Sequence, residues 1–173
     1  RDRYVADPAF VQVPVDALLD PHYLDARAAL IGPRPPPAAP PAGVPVASVR
    51  RGPDATREAA GTSHFVVVDR QGNVVSMTTT VESLFGSGRA VHGFFLNNQL
   101  TDFSFVAEQD GRPVANAVAP GKRPRSSMSP VIVLDREGRV VAALGSPGGS
   151  AILSYVVKTL VGVLDWGLDI AAA

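Results

Sequence analysis

Thr62 is the first residue in the chain whose type and setting could do chemistry. It follows Gly61, at the point where an irregular stretch gives way to alternating apolar residues. Glycine lets the backbone turn sharply and puts no side chain beside an attacking hydroxyl. A threonine hydroxyl attacks an acyl group only with a base beside it, and its own free α-amine is one such base. That amine titrates at roughly pH 7.7–8, close to the ideal for a general base in neutral solution. A chain exposes it by cutting itself at the preceding bond. Alone, a Gly-Thr pair before a strand is commonplace and demands no chemistry.

Gly148-Gly149 follows Ser146-Pro147 and opens a helix. N–H groups at a helix start lack intrahelical partners and favour developing negative charge. Two glycines also let a substrate carbonyl approach closely, so the pair suits an oxyanion hole. A strand-to-helix junction needs glycine for backbone reasons as well. The run Asn97-Asn98-Gln99-Leu100-Thr101-Asp102 offers amides for a carboxylate and Asp102 for an ammonium, a combination that would hold a zwitterion. The alternative is an Asx-rich turn. Lys122-Arg123-Pro124-Arg125 lacks interleaved aromatics and stands in a chain of zero formal net charge, so it reads as a solvated turn and not as a nucleic-acid contact. Ser126 and Ser127 follow it. His64 reads as a strand residue and His92 as a loop residue, neither as a metal ligand.

A folded chain must position these groups. With 173 residues, 46% of them hydrophobic and 18% charged, the composition is that of a globular protein with one sizeable core. Sixteen basic and sixteen acidic residues leave no single-sign field to steer it onto nucleic acid or an anionic membrane. No run approaches the ~20 apolar residues of a membrane span, and the chain does not open on a secretory signal. Without cysteine there is no disulfide, thiol nucleophile or zinc–thiolate site. No metal and no cofactor are expected.

Residues 1–32 read as short helical pieces, with Asp20 as N-cap and Pro21 at the first helical position. Tyr23, Leu24, Ala28 and Ile31 recur at roughly helical spacing. The proline-rich run 32–45 predicts an extended surface linker, and 46–61 stays polar and irregular. From Thr62 the period becomes two. Phe65 to Val68 and Val74 to Thr80 form a hairpin about Asp69-Arg70-Gln71-Gly72-Asn73, Gly93 to Leu96 suggests a third strand, and Pro130 to Leu134 with Val140 to Leu144 form a second hairpin. A helix follows from about Ser150 to Trp166, with Leu153, Val156, Val157, Leu160 and Leu164 on one face. Hairpins with a helix behind them indicate α+β packing. Thr78 and Thr80 share a strand face by period-two alternation.

The runs Thr62-Ser63-His64-Phe65-Val66-Val67-Val68-Asp69, Gly72 to Thr80 and Phe85-Gly86-Ser87-Gly88 resemble the start of the small subunit of gamma-glutamyltranspeptidases. So do Leu96-Asn97-Asn98-Gln99-Leu100-Thr101-Asp102-Phe103, Lys122 to Pro130 and Gly145-Ser146-Pro147-Gly148-Gly149-Ser150. The resemblance covers 62–170 in order, and residues 1–61 look like the tail of the large subunit with a variable linker. It implies a four-layer αββα sandwich of the N-terminal-nucleophile hydrolases, incomplete in this chain, with 1–61 and 62–173 on opposite sides of an autocleavage site at Gly61-Thr62. Thr62 would then form an acyl-enzyme with a γ-glutamyl amide such as glutathione and pass the acyl group to water or an amino acid.

By the same resemblance Thr80 hydrogen-bonds the nucleophile, and Gly148 and Gly149 hold the oxyanion. Glu82, Gln99, Asp102, Ser126 and Ser127 hold the amino and carboxylate ends of the γ-glutamyl group. The family carries asparagine or glutamate at the place of Glu82. Its carboxylate-clamping arginine lies in the large subunit, upstream of Arg1, so the remainder of that subunit is an expected partner. The chain itself is expected to be an uncut, silent piece of a longer precursor. A periplasmic or extracellular setting accords with the family. The competing readings are a cephalosporin or glutaryl acylase of the same superfamily, and a non-catalytic piece serving only binding or assembly.

Overall fold

The computed structural model describes residues 1–46, 48–58 and 61–173. The chain packs as two units that do not follow chain order: Arg1–Thr56 with Phe103–Arg125, and Arg57–Asp102 with Ser126–Ala173.

In the first unit, α1 (Val15–Leu18) is a single turn and α2 (Pro21–Ala28) begins as its sequence predicts. The Asp20 side chain accepts the Tyr23 N–H at 3.0 Å, and Pro21, which has no N–H to satisfy, starts the helix. The expected apolar face of α2 is not buried: Leu24 and Ile31 are exposed, and Ile31 lies beyond the helix end. The cap and a bond from the Arg27 guanidinium to the Pro41 carbonyl hold the helix where apolar packing does not. The proline-rich run forms neither helix nor strand, yet it is tied down, since Pro45 is buried and the Tyr4 hydroxyl donates to the Gly43 carbonyl.

This unit buries Tyr4, Ala6, Val11, Phe103, Val114 and Ala115 around a polar centre. Asn116, wholly buried, donates to Asp54 at 3.0 Å and accepts the Arg125 N–H at 3.0 Å. The Arg125 guanidinium lies 3.3 Å from both Asp54 and Asp2. Arg123 gives three hydrogen bonds to Asp7, and those bonds hold the Asp7 carboxyl well below the usual carboxylate range. The Lys122 ammonium donates to the carbonyls of Ala115 and Ala117. The expected solvated turn at 122–125 is therefore a knot of ion pairs and hydrogen bonds, with the Arg125 side chain 1% exposed. A two-residue hairpin pairs β5 (Glu108–Gln109) with β6 (Arg112–Pro113). Asp110 and Gly111 both take positive φ, as its tight turn requires.

In the second unit, β1 (Thr62–Val68) and β2 (Val74–Thr80) form an antiparallel hairpin. A second hairpin pairs β7 (Val131–Leu134) with β8 (Val140–Leu144). Asp69 and Asp135 build the same turn, each accepting the N–H groups two and four residues on, with Gly72 and Gly138 in the left-handed region. The expected strand at Gly93 to Leu96 is smaller: β3 (Ala90–Val91) pairs with β4 (Phe94–Phe95) across His92-Gly93, both at positive φ. A helical run follows β8. It opens as a 3₁₀ turn (Gly149–Ala151), continues as α3 (Ile152–Leu160) and closes in a wider π-type turn (Val161–Asp165). Val156 of the expected face is buried, together with Ile152, which the spacing did not place there, whereas Leu153, Val157 and Leu164 are exposed. Leu160 and Leu164 line an open apolar cleft against Ala142 and Leu144 of β8. The described strands make four two-stranded ribbons, an α+β arrangement.

Candidate active site

Register brings Thr62 to its place. Thr62 faces Thr80, His64 faces Thr78 and Val66 faces Ser76, and directly opposed residues of an antiparallel pair point to the same side. One face of the hairpin thus carries Thr62, His64, Ser76, Thr78 and Thr80. Thr62, His64, Ser76, Thr78 and Thr80 are half-buried, while the opposite face exposes Phe65, Val67, Val75 and Met77. The usual arrangement, apolar side covered and polar side wet, is reversed here.

At the end of β2 the chain turns a constrained corner. Glu82 adopts φ +74, a left-handed conformation that an L side chain rarely takes. The Thr80 hydroxyl accepts the Glu82 N–H at 2.8 Å, an interaction that uses a lone pair and not its own proton. Asn98 braces the same corner. Its backbone N–H donates to the Val81 carbonyl, its side-chain oxygen accepts the Ser83 N–H at 2.9 Å, and its amide donates to the hydroxyls of Ser83 and Thr101. Gly61 packs on this corner so closely that a Cβ there would overlap the Glu82 carbonyl oxygen. The bracing role of Asn98 was not read from the sequence, although the residue stands in the polar run already singled out.

The corner and the 3₁₀ turn Gln99–Asp102 together hold the acidic groups. Glu82 and Asp102 are both buried, and the Gln99 amide donates to Asp102. Burial pushes the Asp102 carboxyl up to about 6, with the charges of Glu82 and Glu58 and a hydrogen bond shared with Glu82 adding to it; the Gln99 amide works in the other direction. Carboxyls crowded in this way gain most from a cation, because an ammonium beside them removes both the repulsion and the desolvation penalty.

The remaining predicted residues lie on two loops of the same unit. Gly148 and Gly149 take φ values of +132 and +55, so both need glycine for conformational reasons, and a Cβ on Gly148 would crowd the Tyr155 ring. The Ser126 hydroxyl accepts the Met128 N–H. Ser127 is 5% exposed, and its hydroxyl has no hydrogen-bond partner among the described residues. Among the described residues no group of three or more His, Asp or Glu side chains gathers as a metal site, and no helix is long and apolar enough to cross a membrane.

A family model described as Gamma-glutamyltranspeptidase matches residues 1–173. The chain is 41% identical over 182 residues to a glutathione hydrolase proenzyme of Bacillus subtilis (strain 168), covering 100% of this chain and 30% of that protein. It is 38% identical over 176 residues to the Acylase ACY 1 proenzyme of Pseudomonas sp. (strain SE83), covering 99% of this chain and 28% of the relative. Among solved structures, a threonine-to-alanine mutant of Helicobacter pylori gamma-glutamyltranspeptidase matches with a TM-score of 0.53 and 41% identity, over 62% of this chain and 61% of that one. The chain thus spans less than a third of the length of these two curated relatives.

Proposed function

The chain belongs to the gamma-glutamyltranspeptidase family, and from that premise we propose that its whole precursor cuts itself between Gly61 and Thr62 and then transfers γ-glutamyl groups through an acyl-enzyme on Thr62. The observation that carries this reading is the register Thr62↔Thr80, with the Thr80 hydroxyl already accepting the Glu82 N–H. One hydroxyl thereby connects the attacking side chain to the acidic corner that would grip the substrate. The freed Thr62 amine serves as base for the hydroxyl beside it. Asp102 and Glu82 take the α-ammonium of the donor, Gln99 orients Asp102, and Ser126 and Ser127 take the α-carboxylate, for which the unpartnered Ser127 hydroxyl is suited. The N–H groups of Gly148 and Gly149 receive the developing oxyanion.

The donor is a γ-glutamyl amide such as glutathione, and the acceptor is water or an amino acid. Residues 1–61 belong to the large subunit and 62–173 to the small one, whose hairpins and helix lie within a four-layer αββα sandwich. The exposed apolar face of β1 and β2 supports that architecture, since a strand covered on both sides needs apolar side chains on both. The decisive experiment incubates the full-length precursor and its Thr62→Ala variant, then looks for subunit bands and for glutamate release from glutathione. The variant is expected to stay whole and inactive; maturation with turnover in its absence would overturn the reading. The resemblance to Acylase ACY 1 favours a second reading, a glutaryl-amide acylase. A glutaryl group has no α-amine to occupy Asp102 and Glu82, so faster hydrolysis of a glutaryl amide than of a γ-glutamyl anilide would select it.

A further inference from the structure

His64 has no part in the chemistry above, yet it stands two residues from Thr62 on the same face of β1. Its Nδ1 lies 2.9 Å from the Thr78 hydroxyl. Its Nε2 is enclosed without a hydrogen-bond partner among the described residues. The ring presses on Gly145, where a Cβ would overlap it. Gly148 and Gly149 need glycine because of positive φ, but Gly145 is not in that region. Its lack of a side chain answers to the imidazole. A second tie acts beside it: the Ser76 hydroxyl, on the same hairpin face, donates to the Leu144 carbonyl at 3.1 Å.

We propose that His64 is a positioning residue that seats Gly145 and so sets where the Gly148 and Gly149 N–H groups stand relative to the Thr62 hydroxyl. This deepens the acyl-transfer reading and rests on it. The reach fits. Two residues of strand separate His64 from Thr62, about 6.6–6.8 Å. Three to four residues run from Gly145 to Gly148 and Gly149, with a maximal span of roughly 10–14 Å. The loop can therefore deliver its N–H groups to the nucleophile only from a fixed starting point, and the starting point is the imidazole. Holding oxyanion donors in register matters chiefly in the transition state, so loss of the seat lowers kcat and leaves KM nearly unchanged.

The test is a size swap in the full-length precursor, read as rate of maturation and as kcat and KM on a γ-glutamyl anilide, with Thr62→Ala as the control. His64→Ala and Gly145→Ala are each expected to cut kcat by about 10- to 100-fold with KM within about twofold, the scale of a displacement of about 1 Å at the reacting groups. The double variant is expected to recover, because the alanine methyl enters the space the ring vacated; its kcat exceeds that of Gly145→Ala alone. Losses that multiply in the double variant, or a His64→Ala effect confined to KM, would overturn the proposal while the Thr62→Ala control still held. Turnover by Thr62→Ala would instead remove the acyl-transfer reading beneath it. Should His64→Ala fail to yield folded protein, His64→Gln with and without Gly145→Ala gives the same comparison through its smaller, more flexible side chain.

Discussion

The acidic corner makes the pH dependence of donor capture a quantitative test. Burial first, and then the Glu82 charge, push the Asp102 carboxyl up from the ordinary 3.8 to about 6. A carboxyl with a raised value is ionised only above that value, and only the ionised form pairs with the donor ammonium. On the proposed reading, capture of the donor should therefore weaken as pH falls through about 6. The Thr62 amine, freed under the proposed cleavage, would impose a separate requirement: it must be unprotonated to act as base, and its ordinary value is roughly 7.7–8. Since kcat/KM reports the free enzyme, its logarithm should climb with slope two at pH 5 and slope one between about 6.5 and 7.5. Asp102→Asn removes one proton from this count. The variant should show slope one from pH 4.5 to about 7, flattening above that as the amine loses its proton, and at pH 7.5 its kcat/KM should be lower by about 10- to 150-fold, the equivalent of a charge-assisted hydrogen bond of about 1.5–3 kcal/mol. The assay is hydrolysis of a γ-glutamyl anilide by the matured enzyme from pH 4.5 to 8.5. A wild-type slope of one down to pH 4.5, or a second break that survives Asp102→Asn, would refute the assignment of the ammonium site.

Two further outcomes follow from close packing elsewhere. Gly61→Ala places a methyl against the Glu82 carbonyl, and overpacking of about 1.4 kcal/mol at the bond to be cut should slow the appearance of subunit bands roughly tenfold in a timed incubation. Asn116→Ala strips hydrogen bonds from the buried Asp54 and the Arg125 N–H, and about 3 kcal/mol of destabilisation should appear as a lower melting temperature of the precursor.

Local patterns made much of this legible. The two hairpins announce themselves because each turn repeats an aspartate and, three residues on, a glycine, and the structure uses both residues for the same purpose at Asp69-Gly72 and Asp135-Gly138. Once that register is set, Thr62 opposite Thr80 follows from counting. The ion-pair knot of the first unit was not legible. Asp2, Asp7 and Asp54 lie far upstream of Arg123 and Arg125, and pairings at that separation leave no period in the sequence, so a stretch of three cations read as solvated. The face of α3 was legible only in part, for a related reason. Spacing says which residues share a side, but which side is covered depends on what packs there: Val156 of the expected face is buried, whereas Leu153, Val157 and Leu164 are exposed and Ile152, outside that set, is buried instead.

If the proposed mechanism holds, the corner after β2 ties reactivity and recognition together. Under the proposed mechanism Thr80 would contribute through both capacities of one hydroxyl: its lone pair accepts the Glu82 N–H, and its proton would serve Thr62, its register partner across the hairpin. Glu82 is in a backbone conformation that costs on the order of 1 kcal/mol and persists only because its neighbours hold it. Three of those restraints come from the Asn98 side chain, and the Thr80 hydroxyl supplies another. Relaxing the corner would move the Glu82 carboxylate and, under the proposed mechanism, loosen the hydroxyl that is to hold the attacking group. A site in which the nucleophile and the ammonium grip were carried by separate loops could drift in one function while keeping the other. Here two residues of backbone separate Glu82 from Thr80, the residue paired across the hairpin with the proposed nucleophile Thr62, and the strain at Glu82 accompanies that close placement.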